Sequence, residues 1–344
     1  MILNAKNFKN AVESAKKFVG KKEVYTNGIY ISDGAVMATD LNIFYKEKID
    51  NMGGDDCPAA FLDDEAIKKI LEYLKVIKKD KSDFVFDVVG RDVLIDGVPT
   101  YRMPDDDIKM IMPWFPYDDD KSEYNFVIPG EKMELIRSLF FNSPELRADV
   151  RKGFYERYNY AAFIYLKNDK AVWTNGHVLQ EISTGLSGID VLIPVDIFLK
   201  YKKFDGNFSL SYYTDNEFTL AQINNETVKI VYRIITSKVK YPNYDSNSGT
   251  ISSISEIITG VESNTPVEYQ KDELLKQAIL SKRKGRVNQS IIKLKVETEV
   301  DFDYLNFILS YFDDKVTILS EDDNKYGAIC FKDKSRKFVL MPLR

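Results

Sequence analysis

The chain has 344 residues, and 48 lysines and arginines against 53 aspartates and glutamates give it a net charge of −5 at neutral pH. This length is too great for one small core and predicts two or three domains. No apolar run approaches the ~20 residues of a membrane span, and the first residues lack the pattern of a signal peptide. Two distant cysteines, Cys57 and Cys330, make no disulfide framework, so we expect a cytoplasmic protein without membrane contact.

The first third of the chain alternates between helical and strand-like segments. Residues 4–20 predict a helix, because apolar side chains recur at helical spacing while four lysines fall on the opposite face. The runs 24–32 and 36–49 alternate as strands do. Within 58–88 a strand precedes an apolar helix, and Asp63 lies near the helix start, where its carboxylate can accept hydrogen bonds from free backbone N–H groups.

The same order of elements recurs twice. The matching helices and strand–helix–strand units lie at 129–143 and 191–213, and again at 270–285 and 298–321. Asp196 and Asp301 take the position of Asp63. The third copy differs, because residues 286–300 are all that separates its two helices. That segment predicts one good strand rather than three, so we expect a shortened third domain.

Each repeat therefore predicts an α+β unit in which two helices pack on an antiparallel sheet. Polar, turn-rich segments at 118–121 and 245–250 predict the linkers. We expect three domains of similar build, at residues 1–120, 121–248 and 249–344.

The stretch AVWTNGHVLQE contains His177, the one histidine of the chain. As a catalytic base it would need a nucleophile or an acid nearby, and no serine or cysteine motif accompanies it. As a metal ligand it lacks a second histidine or a CxxC pair. The dipeptide Asn175–Gly176 instead predicts a tight turn between the strands KAVWT and VLQEIS, with His177 shaping a surface pocket.

Three motifs, set on the triple repeat, carry a resemblance to a known family. TNGHVL (174–179), KYPNYDS (240–246) and the terminal VLMPLR (339–344) resemble, in order and spacing, stretches of the bacterial DNA sliding clamp, the beta subunit of DNA polymerase III. The resemblance implies a ring of two head-to-tail subunits, with helices lining a central hole through which duplex DNA passes. It implies no catalysis and no cofactor or metal. The partners it implies are DNA, a DNA polymerase, a clamp loader and a second copy of the chain, at the nucleoid or a viral replication site.

The resemblance also implies a hydrophobic cleft that takes short peptides from partner proteins. The matching positions are Thr174, Gly176, His177, Val178, Leu179, Pro242, Val339, Met341, Pro342, Leu343 and Arg344. Val178 departs from the family's usual basic residue, and the family's final leucine is absent, so we expect a different preferred peptide. Residues 339–341 also fit a final core strand, and alternate residues can serve both purposes.

A clamp that slides must attract phosphates without reading bases, which lysine and arginine do. The basic residues on the predicted helices and at their ends are Lys6, Lys9, Lys16, Lys17, Lys68, Lys75, Lys79, Lys132, Arg137, Lys200, Lys202, Lys203, Lys276, Lys282, Arg283, Lys284 and Arg286. For any one of these residues, the alternative interpretation is that it lies on an ordinary solvent-exposed helix face and does not contact DNA. The alternative function is a clamp-like protein that binds clamp-interacting peptides without encircling DNA.

Overall fold

The computed structural model describes residues 1–21, 23, 26–49, 58–77, 83–104, 117–141, 143–144, 159–215, 218–235, 239, 262–282, 289–320, 327–333 and 336–342. The helices are α1 (Ala5–Ala15), α2 (Asp64–Ile77), α3 (Gly130–Arg137), α4 (Val195–Lys200), α5 (Lys271–Ser281) and α6 (Phe302–Leu309). They fall two to a repeat, as predicted. No helix in these ranges is long and apolar enough to cross a bilayer.

Twenty-two strands accompany the helices within the described ranges. The first repeat contains β1 (Ile2–Asn4), β2 (Gly28–Ser32), β3 (Ala35–Thr39), β4 (Ile43–Lys48), β5 (Ala60–Asp63), β6 (Asp83–Val89), β7 (Asp92–Ile95) and β8 (Val98–Arg102). The second contains β9 (Tyr124–Pro129), β10 (Phe163–Asn168), β11 (Lys170–Thr174), β12 (Val178–Ser183), β13 (Ile189–Pro194), β14 (Asn207–Asp215), β15 (Phe218–Asn224) and β16 (Val228–Ile235). The third contains β17 (Val267–Gln270), β18 (Gln289–Lys293), β19 (Glu297–Asp301), β20 (Lys315–Leu319), β21 (Ile329–Lys332) and β22 (Arg336–Leu340).

All strand pairs are antiparallel, and the sheets repeat one plan. Two eight-stranded sheets run in the orders β5-β2-β3-β4-β16-β15-β14-β9 and β13-β10-β11-β12-β22-β21-β20-β17. Each joins four strands of one repeat to four strands of the next. The sheet β1-β6-β7-β8 and the pair β18-β19 are the corresponding half-sheets at the two ends of the pattern. The fold class is therefore α+β with a repeated unit, as predicted.

The described residues form two compact units, each with one eight-stranded sheet. One unit comprises Met1–Gly130 with Asp196–Ser237, and the other comprises Glu131–Val195 with Lys238–Arg344. Both units contain part of the second repeat, because each eight-stranded sheet continues from one repeat into the next. The three domains bounded at residues 120 and 248 stay a prediction.

Side-chain caps explain where several helices begin. Asn4 Oδ1 accepts hydrogen bonds from two backbone N–H groups at the start of α1. Asp63 Oδ1 accepts one from Ala66 at 2.8 Å, and Asp301 caps α6 in the same way. Asp196 differs, since it lies in the first turn of α4 with its carboxylate 3.5 Å from Lys200 Nζ.

The third repeat is built without one hairpin. In the first two repeats, a hairpin (β3–β4 or β11–β12) separates the two strands that precede the second helix. Only residues 294–296 separate β18 from β19. The prediction of one strand there was wrong, because the segment forms two paired strands. Its turn contains no Gly, Pro or Asn, and a bond from Leu294 N–H to the carbonyl of Val296 closes it at 3.2 Å.

Candidate functional site

The predicted turn between β11 and β12 is present, and its own side chains hold it. Asn175 Oδ1 accepts hydrogen bonds from the backbone N–H groups of His177 and Val178, both at 2.8 Å. Thr174 Oγ1 donates to the carbonyl of Val178 at 2.9 Å and accepts from Gly176 N–H at 3.2 Å. Gly176 has φ +88°, so a glycine suits this point of the turn.

The first repeat makes the same turn from a different sequence, TDLNIF. Asp40 Oδ1 accepts from Asn42 N–H at 3.0 Å and from Ile43 N–H at 2.9 Å. Thr39 Oγ1 donates to the carbonyl of Ile43 and accepts from Leu41 N–H, both at 2.9 Å. Leu41, with φ +74°, occupies the position of the glycine. The turn is thus part of the repeated architecture.

His177 corresponds to Asn42 in this comparison. The carbonyl of His177 accepts a hydrogen bond from Met341 N–H, and that of Asn42 accepts one from Arg233 N–H, each at 3.0 Å. The two residues share a backbone role with unlike side chains. The exposed imidazole of His177 stacks on Tyr304, with ring centroids 5.5 Å apart and planes at 20°. This geometry favours the interpretation of His177 as a turn and surface residue over that of a catalytic base.

No group of three or more His, Cys, Asp or Glu side chains that could hold a metal ion occurs among the residues the structure describes. Cys330 is buried, and burial raises the pKa of its thiol to about 12. A thiol in such surroundings is a poor nucleophile.

The turn lies at the junction where β12 of the second repeat pairs with β22 of the third. Leu179 is opposite Val339 in this pairing, and Val178 is opposite Leu340 on the other face of the sheet. Leu179 and Val339 form an apolar cluster with Val172. Leu179 is 8% exposed and Val339 2%, so the cluster is covered.

The structure thus gathers most of the predicted cleft residues at one end of this junction. They are Thr174, Gly176, His177, Val178, Leu179, Val339, Met341 and Pro342. Pro242, Leu343 and Arg344 lie outside the described residues. Alternation along β22 places Val339 in the cluster and Leu340 on the opposite face of the sheet, and the double use of this strand stays a prediction.

A partly buried ionic network, centred on the buried Glu181, flanks the apolar cluster and was not anticipated from the sequence. The Glu181 carboxylate, 4% exposed, lies 2.9 Å from Lys170 Nζ and 3.6 Å from Lys337 Nζ. Lys337 also lies 2.9 Å from Glu262. These residues come from three strands and from the segment that precedes β17, so no local motif marks them. The one available signal is that Glu181 falls two residues after Leu179, which places both on the same face of β12.

The corresponding junction in the first repeat is filled by the chain itself. Phe44 is opposite Val231 where β4 pairs with β16, as Leu179 is opposite Val339. Tyr117, from the segment between the first two repeats, packs into this junction beside Tyr213, with ring centroids 5.2 Å apart.

Several predicted DNA contacts are already neutralised by carboxylates. The pairs are Lys9–Glu13 (3.5 Å), Lys16–Asp64 (2.9 Å), Lys68–Asp64 (2.9 Å), Arg137–Glu134 (3.0 Å) and Lys200–Asp40 (2.8 Å). Such pairs contribute little net positive charge. Lys79, Arg283, Lys284 and Arg286 lie outside the described residues.

Three of the predicted DNA contacts instead lie close to one another, so that their positive charges interact. Lys17, Lys202 and Lys203 are exposed at the ends of the helical segments in the first unit. Partial burial lowers the pKa of Lys17, and the neighbouring charges of Lys202 and Lys203 lower it further. We call these three residues the lysine cluster. Lys6, Lys75, Lys276 and Lys282 are also exposed and Lys132 is half-buried, but they are spread over four helices and their ends.

No protein-family model and no curated protein matches the sequence. Solved structures match its fold over the whole chain. The beta subunit of DNA polymerase III from Thermotoga maritima has 14% identity and a TM-score of 0.69, and the match covers 100% of this chain and 98% of that one. The Pseudomonas aeruginosa subunit beta has 14% identity and a TM-score of 0.68, and the match covers 100% of this chain and 99% of that one. The Helicobacter pylori beta clamp bound to a DNA ligase peptide has 14% identity and a TM-score of 0.67, and the match covers 100% of this chain and 99% of that one.

The repeated α+β units therefore form a fold that is shared with DNA polymerase III beta subunits. More particularly, the chain has the fold of the bacterial DNA polymerase III beta subunit, the sliding clamp, from end to end. The resemblance predicted from three short motifs is confirmed at the level of the fold.

Proposed function

We propose that this chain is a DNA sliding clamp, a processivity factor that encircles duplex DNA and tethers a replicative DNA polymerase. The observation that carries the proposal is the unbroken correspondence of fold with beta clamps over all 344 residues. The internal repetition supports it, because each eight-stranded sheet continues from one repeat into the next, as a ring requires.

The lysine cluster supports binding to phosphates. After the larger effect of burial, the charges of Lys202 and Lys203 lower the pKa of Lys17, although Glu13 and Glu47 oppose them. Lys17 therefore lies close enough to both lysines for their charges to repel, and a phosphate relieves that repulsion. Flexible lysines contact phosphates without reading bases, so they permit movement along DNA. The cluster therefore ranks above the carboxylate-paired Lys16, Lys68 and Lys200 as the principal DNA contact.

The junction of β12 with β22 supports peptide binding. It combines an apolar cluster, a shaped turn and a polar flank, which suits an extended peptide with hydrophobic anchors. The H. pylori clamp carries a DNA ligase peptide. We propose that this chain receives short peptides of its polymerase and its clamp loader at the exposed turn residues Gly176 and His177, beside the covered cluster that contains Leu179 and Val339. The protein performs no catalysis and needs no cofactor, and it acts in the cytoplasm, where DNA is replicated.

The experiment uses a short linear duplex with biotin at both ends. The protein is incubated with the DNA, streptavidin is added to block the ends, and complexes are separated at about 0.5 M salt, where simple ionic contacts are screened. A closed ring stays on the blocked duplex and leaves the unblocked one. Equal loss from both would refute encirclement.

The alternative, a clamp-like protein that binds peptides without encircling DNA, has one observation in its favour. The third repeat lacks the hairpin that joins neighbouring repeats elsewhere in the chain. Peptide binding without retention on blocked DNA would favour this alternative.

A further inference from the structure

One sheet of the first unit has an apolar face that is open to solvent. In the half-sheet β1-β6-β7-β8, Phe84 and Phe86 pack on helix α1, where their ring centroids lie 5.4 and 5.5 Å from that of Phe8. Because side chains alternate along a strand, Val85 and Val89 lie on the opposite face. We call this opposite face the outer face of the half-sheet. Strand pairing places these residues on it: Ile2, Asp83, Val85, Asp87, Val89, Asp92 and Leu94.

The apolar residues of the outer face are neighbours. Ile2, which is 65% exposed, lies directly opposite Val85, which is 40% exposed. Leu94 lies opposite Asp87, so it is diagonal to Val85 and also to Val89, which is 60% exposed. Side chains that are directly opposite have Cβ atoms about 5 Å apart, and diagonal ones are about 7–8 Å apart. The apolar residues therefore form one patch that extends over β1, β6 and β7.

Apolar clusters on the corresponding faces of the two eight-stranded sheets are covered. Tyr30, Met37 and Phe61 form one such cluster, and all three are buried. Leu179 and Val339 belong to another and are buried as well. The patch on the half-sheet is exposed instead, and neighbouring apolar side chains at such exposure are typical of contact surfaces between proteins.

The charges on the outer face indicate the kind of partner. Asp83 accepts a hydrogen bond from the neutral amide of Asn4 at 3.2 Å, and Asp87 accepts one from a backbone N–H at 2.8 Å. Asp92 lies 4.0 Å from Nη1 of Arg102, which offsets one of these carboxylates. The acidic groups surround the apolar patch and leave the face negatively charged. Such a face repels the phosphates of DNA and of anionic lipids, and it attracts basic side chains.

We infer that the outer face of the half-sheet binds a basic amphipathic helix of a partner protein. Neighbouring strands are about 4.8 Å apart, and side chains three or four positions apart on a helix are about 5–6 Å apart. A helix that lies across the strands therefore brings its apolar side chains to Ile2, Val85 and Leu94 in turn. Lysines and arginines beside that apolar stripe reach Asp83 and Asp87. The surface is separate from the junction of β12 with β22 and from the lysine cluster, and its binding does not require encirclement of DNA.

A designed helical peptide tests the surface in the full-length protein. The probe has about 15 residues, with leucine at positions i, i+3, i+4 and i+7 and with lysine at most other positions. Fluorescence anisotropy of the labelled probe measures its affinity. We expect the lysine probe to bind the wild type, and the same peptide with glutamate in place of lysine to show no binding.

Substitutions separate this surface from general attraction between a basic peptide and an acidic protein. Val85→Asp removes an apolar contact and adds a negative charge, and we expect it to weaken binding at least tenfold. Attraction by charge alone would instead be strengthened by that change. Asp87→Asn keeps the shape of the side chain and should weaken binding about threefold, as the loss of an exposed ion pair does.

Val127→Asp is the matched control. Val127 is an exposed valine of β9 that lies opposite Ser209, away from the outer face of the half-sheet. The substitution adds the same charge as Val85→Asp, and we expect it to leave the affinity for the probe unchanged. A wild type that does not bind the lysine probe would overturn the inference. Val85→Asp that binds the probe as tightly as Val127→Asp would overturn it as well.

Discussion

Tyr117 provides the most informative single substitution. It is 8% exposed, it packs with Leu220 and Val231, and its hydroxyl lies 2.7 Å from Ser122 Oγ. Truncation of a buried aromatic ring to alanine typically costs 3–5 kcal/mol, and we expect about 3 kcal/mol because Tyr117 packs on the outer face of a sheet. Urea unfolding of Tyr117→Ala measures this loss.

Tyr117→Phe is the matched control. It keeps the ring and removes the hydroxyl, whose hydrogen bond contributes about 1 kcal/mol. We expect Tyr117→Phe to remain within about 1 kcal/mol of the wild type. If Tyr117→Ala unfolds at the same urea concentration as Tyr117→Phe, the ring of Tyr117 does not stabilise the junction of β4 with β16. That result would refute the interpretation that the chain fills this junction with its own aromatic side chain.

The same variant has a consequence for binding. The emptied slot should accept a synthetic peptide copied from residues 111–122, which contains the missing tyrosine. We expect that peptide to bind Tyr117→Ala and not the wild type, as measured by fluorescence anisotropy. A peptide with alanine in place of the tyrosine should bind neither.

Three further predictions address the turn, the lysine cluster and helix α6. Gly176→Ala should destabilise the protein by about 2 kcal/mol, because alanine at φ +88° is strained and its Cβ would lie 2.7 Å from Tyr160 Oη; no change in thermal unfolding would contradict the turn geometry. Replacement of Lys17, Lys202 and Lys203 by alanine should reduce the slope of log DNA affinity against log salt concentration by about 2.7, at about 0.9 per phosphate contact. The same replacement of the carboxylate-paired Lys16, Lys68 and Lys69 should reduce that slope by less than about 1. Burial raises the pKa of Asp301 in the folded state, so this group favours folding below its unfolded pKa and loses that contribution as the pH rises through its folded value. Asp301→Asn keeps a capping oxygen without the charge and should be at least as stable as the wild type at pH 7; a large loss in thermal unfolding there would contradict this.

The sequence predicted the elements whose signals are local. Spacing of apolar residues located α1, the repeated order of elements located the other five described helices, and the TNGHVL motif located the turn at Gly176 with its flanking strands. The hairpin of β18 and β19 escaped notice because Leu294, Lys295 and Val296 form a turn from residues that ordinarily favour strands and helices.

Features that depend on distant residues could not be predicted in this way. The ion pair of Glu181 with Lys337 and the packing of Tyr117 against Tyr213 join segments that are distant in sequence, and periodicity does not report such contacts. The equivalence of TDLNIF with TNGHVL was likewise hidden, because the two turns use different side chains. In each, a side-chain oxygen of Asp40 or Asn175 accepts backbone hydrogen bonds, and Leu41 or Gly176 has a positive φ.

Release from a blocked duplex after a single cut is the most direct test of encirclement. The protein is trapped on DNA with streptavidin at both ends, held in about 0.5 M salt, and a restriction enzyme then cuts the duplex once between the ends. We predict stable retention before the cut and rapid loss after it, because only the blocked ends of the DNA keep the ring from sliding off. Retention that is unchanged by the cut, or absent before it, would contradict the account.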